Sequence, residues 1–170
     1  CLLMEASTGR VLYAENETDP LPPASVTKMM SLLLIMEALE NGVISLDQTV
    51  TTSEYAASMG GTQLYLEVGE QMTVNDLIKA ITIPSANDAT VAMAELIAGT
   101  EPEFVKRMND KAEMLGLKNT HFTCSTGLFD DNDHYTCAYD LAVICKELIR
   151  HKTIFDYSTV WMDSLRNGTF

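Results

Sequence analysis

At 170 residues the chain suits one domain and is long enough to bury a real core. Its 24 acidic residues against 11 basic give a formal charge of -13, which repels phosphate backbones and anionic bilayers, so nucleic acid is not an expected partner. No stretch reads as a signal peptide, a lipidation motif or a membrane span; the chain opens on Cys1 rather than Met, so the missing signal carries no weight.

In chain order, Leu2 to Glu5 and Val11 to Ala14 read as two short strands joined through Gly9, a β-hairpin. Glu15 to Pro20 is a polar connection. Pro22-Pro23 fixes an extended entry to a helix that begins near Ala24 or Ser25 and stops at Asn41-Gly42. Met29, Met30, Leu32, Leu33, Leu34, Ile35 and Met36 cover almost its whole circumference, so it is predicted to be the central helix, buried on most sides. With Lys28, Glu37 and Glu40 it is too short and too charged to span a bilayer, which needs roughly 20 apolar residues. Thr49 to Thr52 suits a short strand, and Ser53 an N-cap for a turn of helix from Glu54 to Ser58. Leu64, Leu66 and Val68 alternate in an extended arm. Thr73 caps a helix from Val74 to about Ile81, with Asp76 in its first turn, and that helix must end by Pro84. A helix follows from Asp88 to about Ala98, and another opens at Thr100 with Pro102 in its first turn and closes at Gly116. Lys118 to Tyr135 is loop-like and contains the acidic run Asp130 to Asp133, read as a solvated turn. Thr136 is placed as the cap of a last helix from Ala138 to about His151. Residues 153–170 have no clear pattern. A lone hairpin is marginal, so its missing partner strands are a physical problem that these residues leave open.

The chemistry concentrates in two short motifs. Ser25 and Lys28 stand three apart and share a helix face, beside an apolar run that desolvates the amine. A serine becomes a nucleophile when a neighbouring base takes its proton, and a lysine is such a base only with a lowered pKa. The helix N-terminus adds partial positive charge where an anionic tetrahedral intermediate would form. Taken alone, the pair equally describes an N-cap serine with a solvated lysine. Ser85-Ala86-Asn87 supplies a second hydroxyl able to relay a proton and an amide able to hold a substrate and the lysine. Taken alone, that motif equally describes a turn between helices. His121, His134 and His151 show no ligand spacing and read as structural, and no metal site is expected. Cys1, Cys124, Cys137 and Cys145 are too few and too irregular for a disulfide framework, and read as small apolar residues or free thiols.

Together these residues carry a family resemblance over nearly the whole chain. Pro-Ala-Ser-Val-Thr-Lys (23–28), Pro-Ser-Ala-Asn-Asp-Ala (84–89), Leu-Gly-Leu-Lys-Asn-Thr-His-Phe (115–122), Thr-Gly-Leu (126–128) and His-Tyr-Thr-Cys-Ala-Tyr-Asp-Leu-Ala (134–142) resemble the serine D-alanyl-D-alanine carboxypeptidases, the low-molecular-mass penicillin-binding proteins. The opening Leu-Met-Glu-Ala-Ser-Thr-Gly-Arg-Val-Leu-Tyr resembles their first hairpin. The resemblance implies an α+β, penicillin-recognising serine hydrolase fold of the β-lactamase/transpeptidase kind, truncated here, mostly helical with an N-terminal β-hairpin. Residues 1–42 would be hairpin and core helix, 43–152 a helical lobe, and 153–170 the start of the return to the sheet. It further implies Ser25 as the acylated nucleophile, Lys28 as its base, Ser85 as proton relay and Asn87 as the substrate-orienting residue, with the Ser25 amide as half of an oxyanion hole. Cys124 and Cys137 sit where the family more often has asparagine and a small hydroxyl residue; a disulfide between them would need Cα atoms within about 7 Å.

The third family motif, Lys-Thr/Ser-Gly on a strand, is absent. Lys152-Thr153-Ile154 is rejected because it follows directly on a helix and Ile154 replaces the glycine. The expectation is therefore an incomplete catalytic domain, cut at both ends, from a bacterial extracytoplasmic enzyme. Its partners would be peptidoglycan stem peptides ending in D-Ala-D-Ala and β-lactams, with no cofactor, and with membrane anchoring only through segments absent here. The competing expectations are a β-lactamase of the same superfamily, for which no water-activating carboxylate is identifiable, and a non-catalytic module that binds peptidoglycan or a partner protein.

Overall fold

The computed structural model describes residues 1–128 and 132–168. The chain opens as the predicted hairpin, β1 (Leu2–Met4) antiparallel to β2 (Val11–Ala14). Gly9 turns it at φ +78°, where only glycine escapes the Cβ penalty, and its N–H reaches back to the Glu5 carbonyl at 2.8 Å. After the polar connection, Leu21 and Thr136 form an isolated antiparallel bridge that ties the entry of the central helix to a distant loop. A 3-10 turn, Ala24–Thr27, then runs straight into α1 (Lys28–Glu40). The helix starts where Ser25 was predicted to lie, but its first turn is tighter than α. Residues three apart eclipse in a 3-10 turn, which brings Ser25 and Lys28 closer to alignment than an α-turn would.

The lobe that follows holds β3 (Thr49–Thr51), α2 (Glu54–Ala57), β4 (Gln71–Thr73), α3 (Val74–Thr82), α4 (Asn87–Ala98) and α5 (Glu101–Met114). The expected caps form: Ser53 Oγ accepts from Ala56 N–H at 2.9 Å, and Thr73 Oγ1 from Asp76 N–H at 3.1 Å. Thr100 Oγ1 accepts from Glu103 N–H at 3.3 Å. Strand β4 has no signature in the sequence, because three residues leading into a helix cap cannot show alternation. Its identity comes from pairing with β3, Val50 opposite Met72. The extended arm expected at residues 64–68 does not form: Tyr65 turns left-handed at φ +57° and Val68 lies in a turn, with Leu64 and Leu66 buried and Val68 exposed.

The last long helix, α6 (Ala138–Leu148), differs from expectation at both ends. Its cap is Cys137, whose Sγ accepts from Asp140 N–H at 3.4 Å. Thr136 cannot serve, because its backbone N–H and carbonyl are both committed to Leu21. The helix stops short of His151, whose Nδ1 lies 3.0 Å from a Glu40 carboxylate oxygen. A 3-10 turn Lys152–Ile154, α7 (Phe155–Ser158) and a 3-10 turn Arg166–Gly168 follow, so Lys152-Thr153-Ile154 lies in a helical turn and not on a strand. Asp130 and Asp131 of the acidic run lie outside the described residues. All four cysteines are free.

The core is built on two helices rather than one. Met30, Leu33, Ile35 and Met36 of α1 are fully buried or nearly so, and α1 packs on α4 and α6. Helix α4 buries eight consecutive residues, Asn87 to Ala94. Its alanines let α1, α2, α3 and α5 all approach it, and such close packing is felt at the level of one methylene. Among the described residues no helix is long and apolar enough to cross a membrane.

Candidate active site

The two predicted motifs come together where the N-terminal turn before α1 meets the N-terminus of α4. Lys28 Nζ lies 3.3 Å from Ser25 Oγ, 2.7 Å from Asn87 Oδ1 and 2.9 Å from the Thr126 carbonyl. The three acceptors come from segments separated by 59 and 98 residues of chain, so this amine is where the fold converges. Lys28 is 3% exposed, whereas Ser25 beside it faces solvent. Burial pushes the ammonium down to about 8, against an opposing pull from the Cys124 sulfur. Close to one amine in ten is then neutral at pH 7, a usable population of base.

Asn87 is fixed from both ends. Its Oδ1 accepts from Lys28 and its Nδ2 donates to the Gly60 carbonyl at 2.8 Å, which assigns the amide orientation. Its backbone N–H donates to the Thr62 carbonyl at 2.8 Å. Ser85 stands two residues earlier with φ +63°, a left-handed conformation that a serine holds only when its surroundings impose it. Here Ala86 N–H donates to the Ala80 carbonyl at 2.9 Å and pins the reversal between α3 and α4. Ser85 is not among the acceptors of Lys28. The Ser25 amide precedes the first rung of its turn, which is Val26 N–H to the Pro23 carbonyl at 3.1 Å. That amide is accordingly placed to donate outward.

Several residues essential to this geometry carry no motif. The turn 124–127 presents the Thr126 carbonyl to Lys28, and Gly127 permits it: a Cβ there would sit 1.8 Å from the Ala24 carbonyl oxygen, on a φ of +73°. Cys124 Sγ accepts the Gly127 N–H at 3.2 Å and closes the turn. Burial pushes the Cys124 thiol up, and the Gly127 and Thr126 amides that face its sulfur pull it down. His134 is structural, as expected. Thr123 N–H donates to its Nδ1 at 3.0 Å, which assigns the proton to Nε2, and Nε2 donates to Thr27 Oγ1 at 2.7 Å.

Two buried carboxylates hold the loops that flank the amine. Glu101, in the first turn of α5, accepts from Tyr55 Oη at 2.6 Å and from the N–H and Oγ of Ser125 at 2.9 and 2.6 Å. The hydrogen bond to Glu101, then burial and the Glu101 charge, hold the Tyr55 phenol up at about 12. Asp88 is fully buried at the start of α4 and accepts from the amides of Leu64, Leu66 and Ala89. It therefore fixes the segment Leu64–Leu66 next to Gly60 and Asn87. The sequence held one signal for Asp88, a carboxylate at the head of a helix of small apolar residues; for Glu101 it held none. Among the described residues no group of three or more His, Cys, Asp or Glu could hold a metal.

A buried lysine joining a serine turn to a Ser-x-Asn turn, beside a β-hairpin and a helical lobe, is the arrangement of the penicillin-binding proteins. Solved structures agree. Penicillin binding protein 5 from Haemophilus influenzae matches with a TM-score of 0.83 at 39% identity, over 88% of this chain and 44% of that one. The Streptococcus pneumoniae protein described as a peptidoglycan synthesis regulatory factor (PBP3) matches at 0.86 and 31%, over 94% and 49%. The ampicillin-bound form of penicillin-binding protein D2 from Listeria monocytogenes matches at 0.84 and 26%, over 99% and 68%. The model of the D-alanyl-D-alanine carboxypeptidase family, Peptidase_S11, matches residues 1–168, and the chain belongs to that family. It is 53% identical over 168 residues to D-alanyl-D-alanine carboxypeptidase DacF of Bacillus subtilis, covering 99% of this chain and 43% of the relative. The chain thus spans less than half the length of that relative.

Proposed function

We propose that these residues carry the nucleophilic half of a serine D-alanyl-D-alanine carboxypeptidase acting on peptidoglycan stem peptides. The observation that supports this most is the buried Lys28 amine, 3.3 Å from Ser25 Oγ and lowered to about 8. In its neutral form Lys28 takes the Ser25 proton as Oγ attacks the carbonyl of the penultimate D-alanine. The Ser25 amide donates to the oxyanion, and the terminal D-alanine leaves with a proton returned through Lys28 and Ser85. Water then hydrolyses the acyl-enzyme. Asn87 holds Lys28 in position and has a second Nδ2 hydrogen available for the substrate amide. A β-lactam would acylate Ser25 and stop there; the ampicillin-bound form of a relative supports β-lactam binding. Such a substrate places the protein outside the bacterial cytoplasmic membrane.

The same reading makes the catalytic domain incomplete. None of the 170 residues supplies Lys-Thr/Ser-Gly, so the second oxyanion donor and the substrate-carboxylate site are missing. Loss of one such donor costs about 10²- to 10³-fold in rate, so the chain alone should turn over little peptide. The experiment treats the chain, and a version extended at its C-terminus, with fluorescent penicillin and with diacyl-L-Lys-D-Ala-D-Ala. The extended protein should take a covalent label that vanishes in Ser25→Ala. A label that survives Ser25→Ala, or none at all, overturns the nucleophile assignment. Equal peptide turnover by the two lengths overturns the incompleteness.

A further inference from the structure

An open concavity of about 480 Å³ lies between the turn of the hairpin and the end of α6, at the opposite end of α1 and α6 from Ser25. Lys146, Arg150 and Lys152 line it, with the Ser7 hydroxyl and the apolar faces of Ile149 and Phe155. Three of the chain's 11 basic residues therefore meet at one concavity of a protein whose formal charge is -13. Lys146 has no ion-pair partner among the described residues; its Nζ lies over Gly9, so close that a Cβ there would come within 2.9 Å. Lys152 Nζ lies 5.6 Å from the centroid of the Phe155 ring and has no ion-pair partner among the described residues. Among the described residues that line it, the one carboxylate, Glu147, is paired with Arg150 at 2.8 Å. Net positive charge, a hydroxyl donor and an apolar wall are what recognise an oxyanion attached to an organic group.

We propose that this cavity binds the phosphate group of a small organophosphate, with Lys146 and Lys152 contacting the phosphate oxygens and the organic portion lying on Ile149 and Phe155. The volume far exceeds one tetrahedral oxyanion, and an apolar floor has no use for inorganic phosphate alone. The overall negative charge favours a small soluble ester over a membrane. At 0.15 M salt the Debye length is about 8 Å, so a small ester meets the local cations while an anionic bilayer meets the whole acidic surface.

The test titrates the 170-residue protein with glycerol 3-phosphate at 0.15 M salt, following backbone amides by NMR, with sodium chloride of equal ionic strength as control. Saturable shifts confined to Ser7, Lys146, Lys152 and their neighbours are expected. The double variant Lys146→Gln/Lys152→Gln should bind at least tenfold more weakly, since each lost charge-assisted contact is worth roughly a factor of ten, while its thermal midpoint is unchanged. Cosedimentation with phosphatidylglycerol vesicles, against phosphatidylcholine, distinguishes the source. Lysine-dependent binding to phosphatidylglycerol assigns the phosphate to a lipid headgroup; binding of the ester alone assigns it to a soluble compound. Shifts no greater than those from chloride together with no vesicle binding, or binding undiminished in the double variant, overturn the proposal.

Discussion

The buried amine makes a stability prediction that needs no substrate. Lys28 has an ordinary pKa of 10.5 when unfolded and about 8 in the folded chain, so the folded state holds that proton less tightly. Below pH 8 the amine is charged in both states and the cost of burying it is constant. Between pH 8 and 10.5 the unfolded chain binds more protons than the folded one, so stability rises with pH. At 1.36 kcal/mol per pKa unit the rise is about 3 kcal/mol, and Lys28, 3% exposed, has little solvent to screen it. Tyr55 acts oppositely above pH 10, because its phenol keeps a proton that the unfolded chain has lost. The difference between wild type and Lys28→Met separates Lys28 from Tyr55. Urea denaturation at pH 7, 8, 9 and 10 should show wild type gaining on the variant by about 2 kcal/mol or more across that window. At pH 7 the variant gains relief from the buried charge but leaves the Asn87 and Thr126 acceptors without a donor, at about 1–3 kcal/mol each, so the test rests on the slope with pH. A difference that is flat with pH would mean that Lys28 keeps its ordinary affinity for a proton, and it could not then be the base.

Further outcomes follow from the surrounding shell. Glu101→Gln keeps the shape but turns one acceptor oxygen into a donor facing Ser125 or Tyr55. It should cost about 2–3 kcal/mol in urea denaturation and, in a protein long enough to be acylated, slow penicillin labelling by loosening the Thr126 carbonyl. Leu33→Ala, at a fully buried position of α1, should cost about 2–5 kcal/mol by the same measurement, because neighbours on α4 and α6 cannot collapse into the void.

The sequence by itself determined the elements and the chemistry of the motif positions. The hairpin turn at Gly9, the caps at Ser53, Thr73 and Thr100, and the burial of α1 follow from local rules that act within a few residues. Ser25, Lys28 and Asn87 could be singled out because each sits at or beside a helix start, where side-chain spacing is fixed, and the fold brings these three together, whereas Ser85, in its left-handed turn, is not among the partners described for Lys28. What only the tertiary structure decided is what those side chains meet. Strand β4 exists through its partner 20 residues away. The cap of α6 fell to Cys137 because Leu21, more than 100 residues earlier, claimed the backbone of Thr136. The Thr126 carbonyl, Glu101 and Asp88 carry no periodicity or motif of their own, since a buried acceptor is defined by the donor that reaches it and not by its neighbours in the chain. Lys28 is a lysine beside an apolar run in the sequence. It becomes a candidate base only where three distant segments close around its amine and exclude water.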